Sequence, residues 1–238
     1  MKALPFLLLL VLIGCPKDPI FSEAGTFKDS RDNHVYKSVL IGNQTWMAEN
    51  LAYLPSVIPS EYSLDTFPLH YVYGYEGFEV SEAKASSNFS KYGVLYNWKA
   101  AITACPSRWH LPTSSEMQIM TDFLEKHGYG FKGSGYKIGK SMASTTDWDW
   151  DSDSKAGVIG NNQSKNNRSG FTALPGGYRM SQDRFYGLGF SAAFWSSSES
   201  DDSVYGNFWM MNYSSSIVNN LGGKKGSALS VRCIKDDE

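Results

Sequence analysis

The chain reads as an α+β protein, with a β-hairpin first, two helices next and antiparallel strands last. Three observations point there. β-rich segments flank Gly42-Asn43, a dipeptide of the kind that closes two-residue hairpins. Thr113 and Glu116 match a capping box and open a stretch whose apolar residues recur at helical spacing. Beyond residue 170, short apolar words alternate with Gly-, Ser- and Asn-rich loops, as short strands do. The expected layout is two helices against small antiparallel sheets with long ordered loops.

The N-terminus stands apart from this domain. Leu4 to Ile13 is an apolar run of ten residues, short of the roughly 20 needed to span a bilayer. It follows Lys2 and ends at a small residue, so it reads as a secretion signal. Leu12-Ile13-Gly14-Cys15 resembles the lipobox of bacterial lipoproteins, which implies cleavage before Cys15 and acylation of that cysteine. The alternative is an ordinary signal peptide cut elsewhere. Two or more acyl chains anchor stably where one binds marginally. Residues 1–14 are then a signal peptide, 15–25 a short tether and 26–238 the folded domain. The expected location is the bacterial cell envelope, lipid-anchored in the outer membrane. Pro16-Lys17-Asp18 is similar to the surface-export signals of some Bacteroidetes lipoproteins.

Within the domain, Val35 to Ile41 and Gln44 to Leu51 form the expected hairpin. Residues 55–90 lack a stable period and read as loop with one strand. From Tyr92 onward Leu95, Trp98, Ala101, Ile102 and Cys105 recur at three and four, predicting a helix that Pro106 ends. A second helix starts after Thr113, carries Met117, Met120, Phe123 and Leu124 as its apolar stripe, and stops near Gly128. Strands are expected at Phe171–Leu174, Ala193–Trp195, Asn207–Met210 and Leu229–Ile234.

Composition narrows function. With 14% aromatic residues the chain is unlike a disordered one, and 22 Lys and Arg against 24 Asp and Glu leave no electrostatic footprint for nucleic acid. If Cys15 is acylated, Cys105 and Cys233 remain, and outside the cytosol a disulfide between them is permitted. Two buried free thiols are the alternative.

Six words in order carry a family resemblance. They are Gly42–Leu51, Tyr92–Trp98, Ala104–Pro112, Gly170–Arg179 (Gly-Phe-Thr-Ala-Leu-Pro-Gly-Gly-Tyr-Arg), Phe194–Glu199 and Ser230–Asp236 (Ser-Val-Arg-Cys-Ile-Lys-Asp). They resemble the Fibrobacter succinogenes major paralogous domain, found mainly in secreted and lipoprotein chains. Trp109-His110-Leu111-Pro112-Thr113 with Glu116, and Ser230-Val231-Arg232-Cys233, are also similar to words of the formylglycine-generating enzymes. That likeness implies a C-type-lectin-like fold, in which a disulfide ties the first helical region to the final strand. Cys105 and Cys233 fit that role.

The enzyme chemistry does not carry over. The formylglycine-generating enzymes use two closely spaced cysteines, whereas Cys233 has no cysteine neighbour. The related sulfoxide synthases use three histidines, but His34, His70, His110 and His127 lack close ligand spacing, and His110 reads as a packed structural residue. No nucleophile elbow, phosphate loop or zinc pattern occurs. No catalytic residue and no cofactor are expected. Asp147, Asp149, Asp151 and Asp153 suggest calcium by composition, yet an EF-hand counted from Asp149 has Ser154 and Gly160 where Gly and Glu are needed. A solvated acidic loop is favoured, and no metal is expected.

Recognition is what remains. Residues 196–220 hold eight Ser and four Asn among aromatics, a composition that gives antibody loops rigid contact area and adaptable hydrogen bonds. The candidate face is Tyr205, Asn207, Trp209, Asn212 and Tyr213, for a polysaccharide or a surface protein. The competing reading packs these aromatics into the core, where Trp195 is assigned in either case. An envelope interaction module, or an enzyme on a formylglycine-generating-like scaffold, are the other functions considered.

Overall fold

After β1 (Thr26–Lys28), strands β2 (Val35–Ile41) and β3 (Gln44–Met47) pair antiparallel with Ile41 opposite Gln44. This is the expected hairpin in a computed structural model that describes residues 25–151, 156–180 and 184–236. Of the two turn residues only Gly42 has positive φ, +64°, the type II′ pattern. A Cβ at Gly42 would also meet the Phe123 ring at 3.0 Å.

The next stretch departs from expectation. It holds β4 (His70–Tyr71), α1 (Val80–Ala85), α2 (Ser87–Tyr92), β5 (Leu95–Asn97) and α3 (Trp98–Ala101). Six-residue helices are too short to develop a readable 3.6 period, so α1 and α2 escape sequence patterning. The helix expected from Tyr92 is corrected to a strand followed by one helical turn. Gly93, at φ +73°, ends α2 where a Cβ would meet the Leu51 carbonyl at 2.8 Å. Asn97 then sets the strand–helix boundary. Its Oδ1 accepts from the Ala100 and Leu69 amides at 2.9 and 3.0 Å, and its Nδ2 donates to the carbonyls of Leu64 and Phe67.

β6 (Trp109–His110) leads into α4 (Ser114–Lys126), which has the predicted capping box of Thr113 and Glu116. It buries Met117, Met120 and Leu124. Then come α5 (Gly139–Met142), β7 (Gly176–Met180), β8 (Arg184–Leu188), β9 (Ser191–Glu199), β10 (Tyr205–Asn212), β11 (Asn219–Lys224), β12 (Ala228–Leu229) and β13 (Ile234–Lys235). Phe171–Leu174 is not the expected strand. Thr172 has φ +56°, which breaks extended backbone, and only an Ala173–Ala143 bridge survives.

The strands make two open sheets, ordered β1-β2-β3-β13-β6 and β11-β10-β9-β7-β12-β5-β4, with β8 added on β7. The result is a mixed α/β fold, mostly sheet with few helices. Alternation along the strands feeds two cores. Trp195, Met47, Val231 and Cys233 point into the first, while Phe194, Trp46, Met211 and Ile234 join Met117 and Met120 in the second. Cys105 and Cys233 are disulfide-bonded across 128 residues of sequence, which closes the free-thiol alternative. A loop of that length contributes about 5 kcal/mol in the chain-entropy model.

Buried cations organise the loops, Lys140 and Arg232 among them. Lys140 donates to the carbonyls of Val158, Asn161 and Asn162 and to Asn166 Oδ1, so one ammonium gathers residues 158–166. Arg232, fully buried, donates to Asn50 Oδ1 (2.9 Å) and to the carbonyls of Met47 (3.1 Å), Phe171 and Thr172 (2.7 Å), with Phe171 and Phe194 rings against its face. Burial pushes its pKa down to about 9, which still leaves it charged at neutral pH. Replacing Arg232 by Leu strands these buried acceptors, at about 1–3 kcal/mol each. We therefore expect Arg232→Leu to lose at least about 3 kcal/mol in urea unfolding. Arg232→Lys should recover little of it, because a point ammonium cannot reproduce the planar fork.

His110 is half-exposed and structural, clamping Asp236 to α4. Its Nδ1 lies 2.6 Å from Asp236 Oδ1 and its Nε2 2.8 Å from Glu116 Oε1. Burial alone lowers the imidazole pKa, but the hydrogen bonds to Asp236 and Glu116 win and raise it above 6.5. A raised folded-state pKa stabilises fully below the unfolded value and ceases to do so as pH climbs through the folded one. The melting-temperature gap between wild type and His110→Gln should thus be widest near pH 6, around the ordinary His pKa, and narrow steadily in alkaline buffer.

Candidate functional site

Alternation in the β9–β10–β11 segment decides which side chains can meet. Phe208 lies opposite Trp195 and Leu221, while Trp209 lies opposite Phe194 and Asn220. One face therefore carries Phe208, Met210, Leu221 and Trp195, and the other carries Trp209, Met211 and Asn220. A register shift between Gly206 and Phe208 bulges β10 at its start. Gly206 is needed there, since a Cβ would meet the Trp98 ring at 2.5 Å.

The first face is a cleft of about 410 Å³, within the range of small-ligand pockets. Tyr178, Tyr205 and Phe208 supply half-buried rings, Met180 and Leu221 its exposed apolar lips, and Lys224 and Ser227 polar groups. Gly222 and Gly223 form bare backbone floor. A Cβ on Gly223 would meet Phe208 at 3.0 Å and Trp195 at 3.4 Å. The wall is rigid: Trp195 is fully buried, donates from Nε1 to the Tyr96 carbonyl at 2.8 Å, and meets Phe208 edge-on at 5.9 Å. Burial, with Tyr186 stacked at 6.2 Å, pushes the Tyr178 phenol pKa up, so it presents a neutral hydroxyl.

The five residues predicted as one face are not brought together, because strand geometry splits them. Tyr205 lines the cleft. Asn207 donates across to the Glu199 carbonyl at the end of β9, at 3.4 Å. Trp209 is buried, 6% exposed, in the second core on the opposite face. Asn212 is spent on a turn, accepting from the Ser214 amide and hydroxyl. Tyr213 stacks edge-on against Phe190 at 5.1 Å and packs on the second core. Tyr178, Met180, Leu221 and the glycine floor were missed. β11 reads Asn-Asn-Leu-Gly-Gly-Lys, poor in strand formers, although paired glycines are a signal of close backbone approach.

Other candidates resolve differently. Asp147 pairs with Lys91 at 2.5 Å and accepts from Thr146, and Asp149 lies against Gly189. Asp153 and Cys15 lie outside the described residues. Among the described residues no group of three His, Cys, Asp or Glu is placed to hold a metal ion. The disulfide occupies both remaining thiols. Neither a curated protein nor a solved structure matches the chain. A family model does, over residues 39–235, which takes in the disulfide, the cleft and both sheets except β1 and the start of β2, so the chain belongs to the Fibrobacter succinogenes major domain family.

Proposed function

We propose that this chain is a lipid-anchored protein of the bacterial cell envelope whose domain is a non-catalytic, lectin-like binding module for a glycan. The aromatic cleft carries this reading. Flat rings of Tyr178, Tyr205 and Phe208 over a glycine floor suit the C–H faces of sugar rings, and Lys224 and Ser227 suit their hydroxyls. Pinned rings lose little entropy on binding, which favours weak, face-on recognition over chemistry. The lectin-like element of the proposal rests on the disulfide from the residues after α3 to the residue just before the last strand. The anchor rests on Cys15 and the apolar run before it.

Two experiments test it. On an array of bacterial and plant polysaccharides the mature protein should bind a subset, and Tyr205→Ala and Tyr178→Ala should each weaken that binding about five- to tenfold, a stacking contact's worth, with unchanged melting temperature. Clean negatives across the array would sink the glycan reading in favour of an envelope interaction module. Cys15→Ser should stop incorporation of labelled palmitate and shift the protein out of the acylated membrane pool; undiminished labelling would remove the anchor.

A further inference from the structure

The opposite face of the β10–β11 hairpin holds a second hollow, of about 230 Å³, between that hairpin, α4 and the segment around Tyr136. Its floor includes Trp209. Among the described residues, Trp209 Nε1 is the one buried side-chain polar atom without a hydrogen-bond partner. Four of the other six tryptophans contrast with it. Trp46, Trp98, Trp148 and Trp195 all donate from Nε1, to Gln44, Ser196, Ser144 and Tyr96 respectively. A buried orphan donor carries a desolvation cost with nothing to offset it, and native structures seldom keep one without a role or a bound water.

The rim adds polar side chains that are open to a ligand. Glu125 (half-buried), Tyr136 and Asn220 (both exposed) line the hollow, and none makes a side-chain hydrogen bond to another described residue. Indole only donates, carboxylate only accepts, and amide and phenol do both. The matching ligand group is a hydroxyl, which also does both. Ile138 and Ile217 complete apolar walls, and no cationic side chain is among the lining residues, which disfavours an anion.

We propose that this hollow is a binding site for a single neutral sugar ring, with Glu125, Tyr136 and Asn220 meeting its hydroxyls and Trp209 Nε1 satisfied by a hydroxyl directly or through one water. Its size admits one ring and not a chain, so the site reads a terminal or branch residue. It is separate from the aromatic cleft, which lies on the other face of the same two strands, and stands whether or not that cleft takes a glycan.

Indole-labelled mature protein, with the Trp209 Nε1–H resonance assigned through Trp209→Phe, provides the test. Methyl glycosides of glucose, galactose, mannose and N-acetylglucosamine are titrated to about 50 mM, above the millimolar affinity expected of one ring. At least one should move the Trp209 resonance saturably. Asn220 is exposed on an edge strand, so Asn220→Ala should keep the fold and raise the dissociation constant at least about fivefold. Tyr205→Ala should leave this titration unchanged. A Trp209 resonance that no glycoside moves, or that moves equally in Asn220→Ala, overturns the site. Loss of the response in Tyr205→Ala would assign it to the cleft instead, and overturn it equally.

Discussion

The fold turns on one buried guanidinium. Arg232 sits between the two cores, and its hydrogen bonds reach the end of β3, the Asn50 side chain and the backbone of Phe171 and Thr172. Those groups come from two regions far apart in sequence, residues 47–50 and 171–172, and of them only Met47 lies in regular structure. Without the fork their carbonyls would be dehydrated and unpaired. The disulfide is the covalent neighbour of this contact, since Cys233 follows Arg232 directly and points into the other core. The two constraints act on opposite sides of one short segment.

Backbone strain serves the same junction. Thr172 adopts a left-handed conformation that a β-branched residue seldom takes, and Asn167 holds it there by bonding both its amide and its hydroxyl. That conformation presents the Phe171 and Thr172 carbonyls together to Arg232. Lys140 works similarly one loop earlier, replacing secondary structure with a hub of backbone oxygens. Burial pushes its ammonium pKa down to about 8, while the surrounding oxygens hold it in place. Long irregular loops in this domain are thus ordered by polar centres as much as by apolar packing.

Much of this was legible in the sequence where a local signal sufficed. Gly42-Asn43, the Thr113–Glu116 box and the apolar words of β9 and β10 each announce their structure within a few residues. The segment from Tyr92 was misread because Leu95, Trp98 and Ala101 mimic helical spacing by accident, whereas Gly93 and Asn97 impose a strand and then a cap. The candidate face failed for another reason. Composition singled out the right hairpin, but the bulge between Gly206 and Phe208 shifts the alternation and divides Tyr205 from Trp209, and the partners that complete each face come from Tyr178 in β7, Glu125 in α4 and the glycines of β11. Such partners are set by tertiary pairing, which no spacing within one segment encodes.

The position of β13 has a temporal side. That strand lies between β3 and β6, so the sheet begun by residues 26–47 has a gap at its centre until residues 234–235 arrive. A chain synthesised N-terminus first must hold an open hairpin edge until that strand emerges. Arg232, Cys233 and Ile234 then reach their guanidinium partners, their thiol and their strand gap within three consecutive residues. Closure of the domain is therefore a late event, timed by emergence of residues 232–235 and not by emergence of the hairpin that starts it.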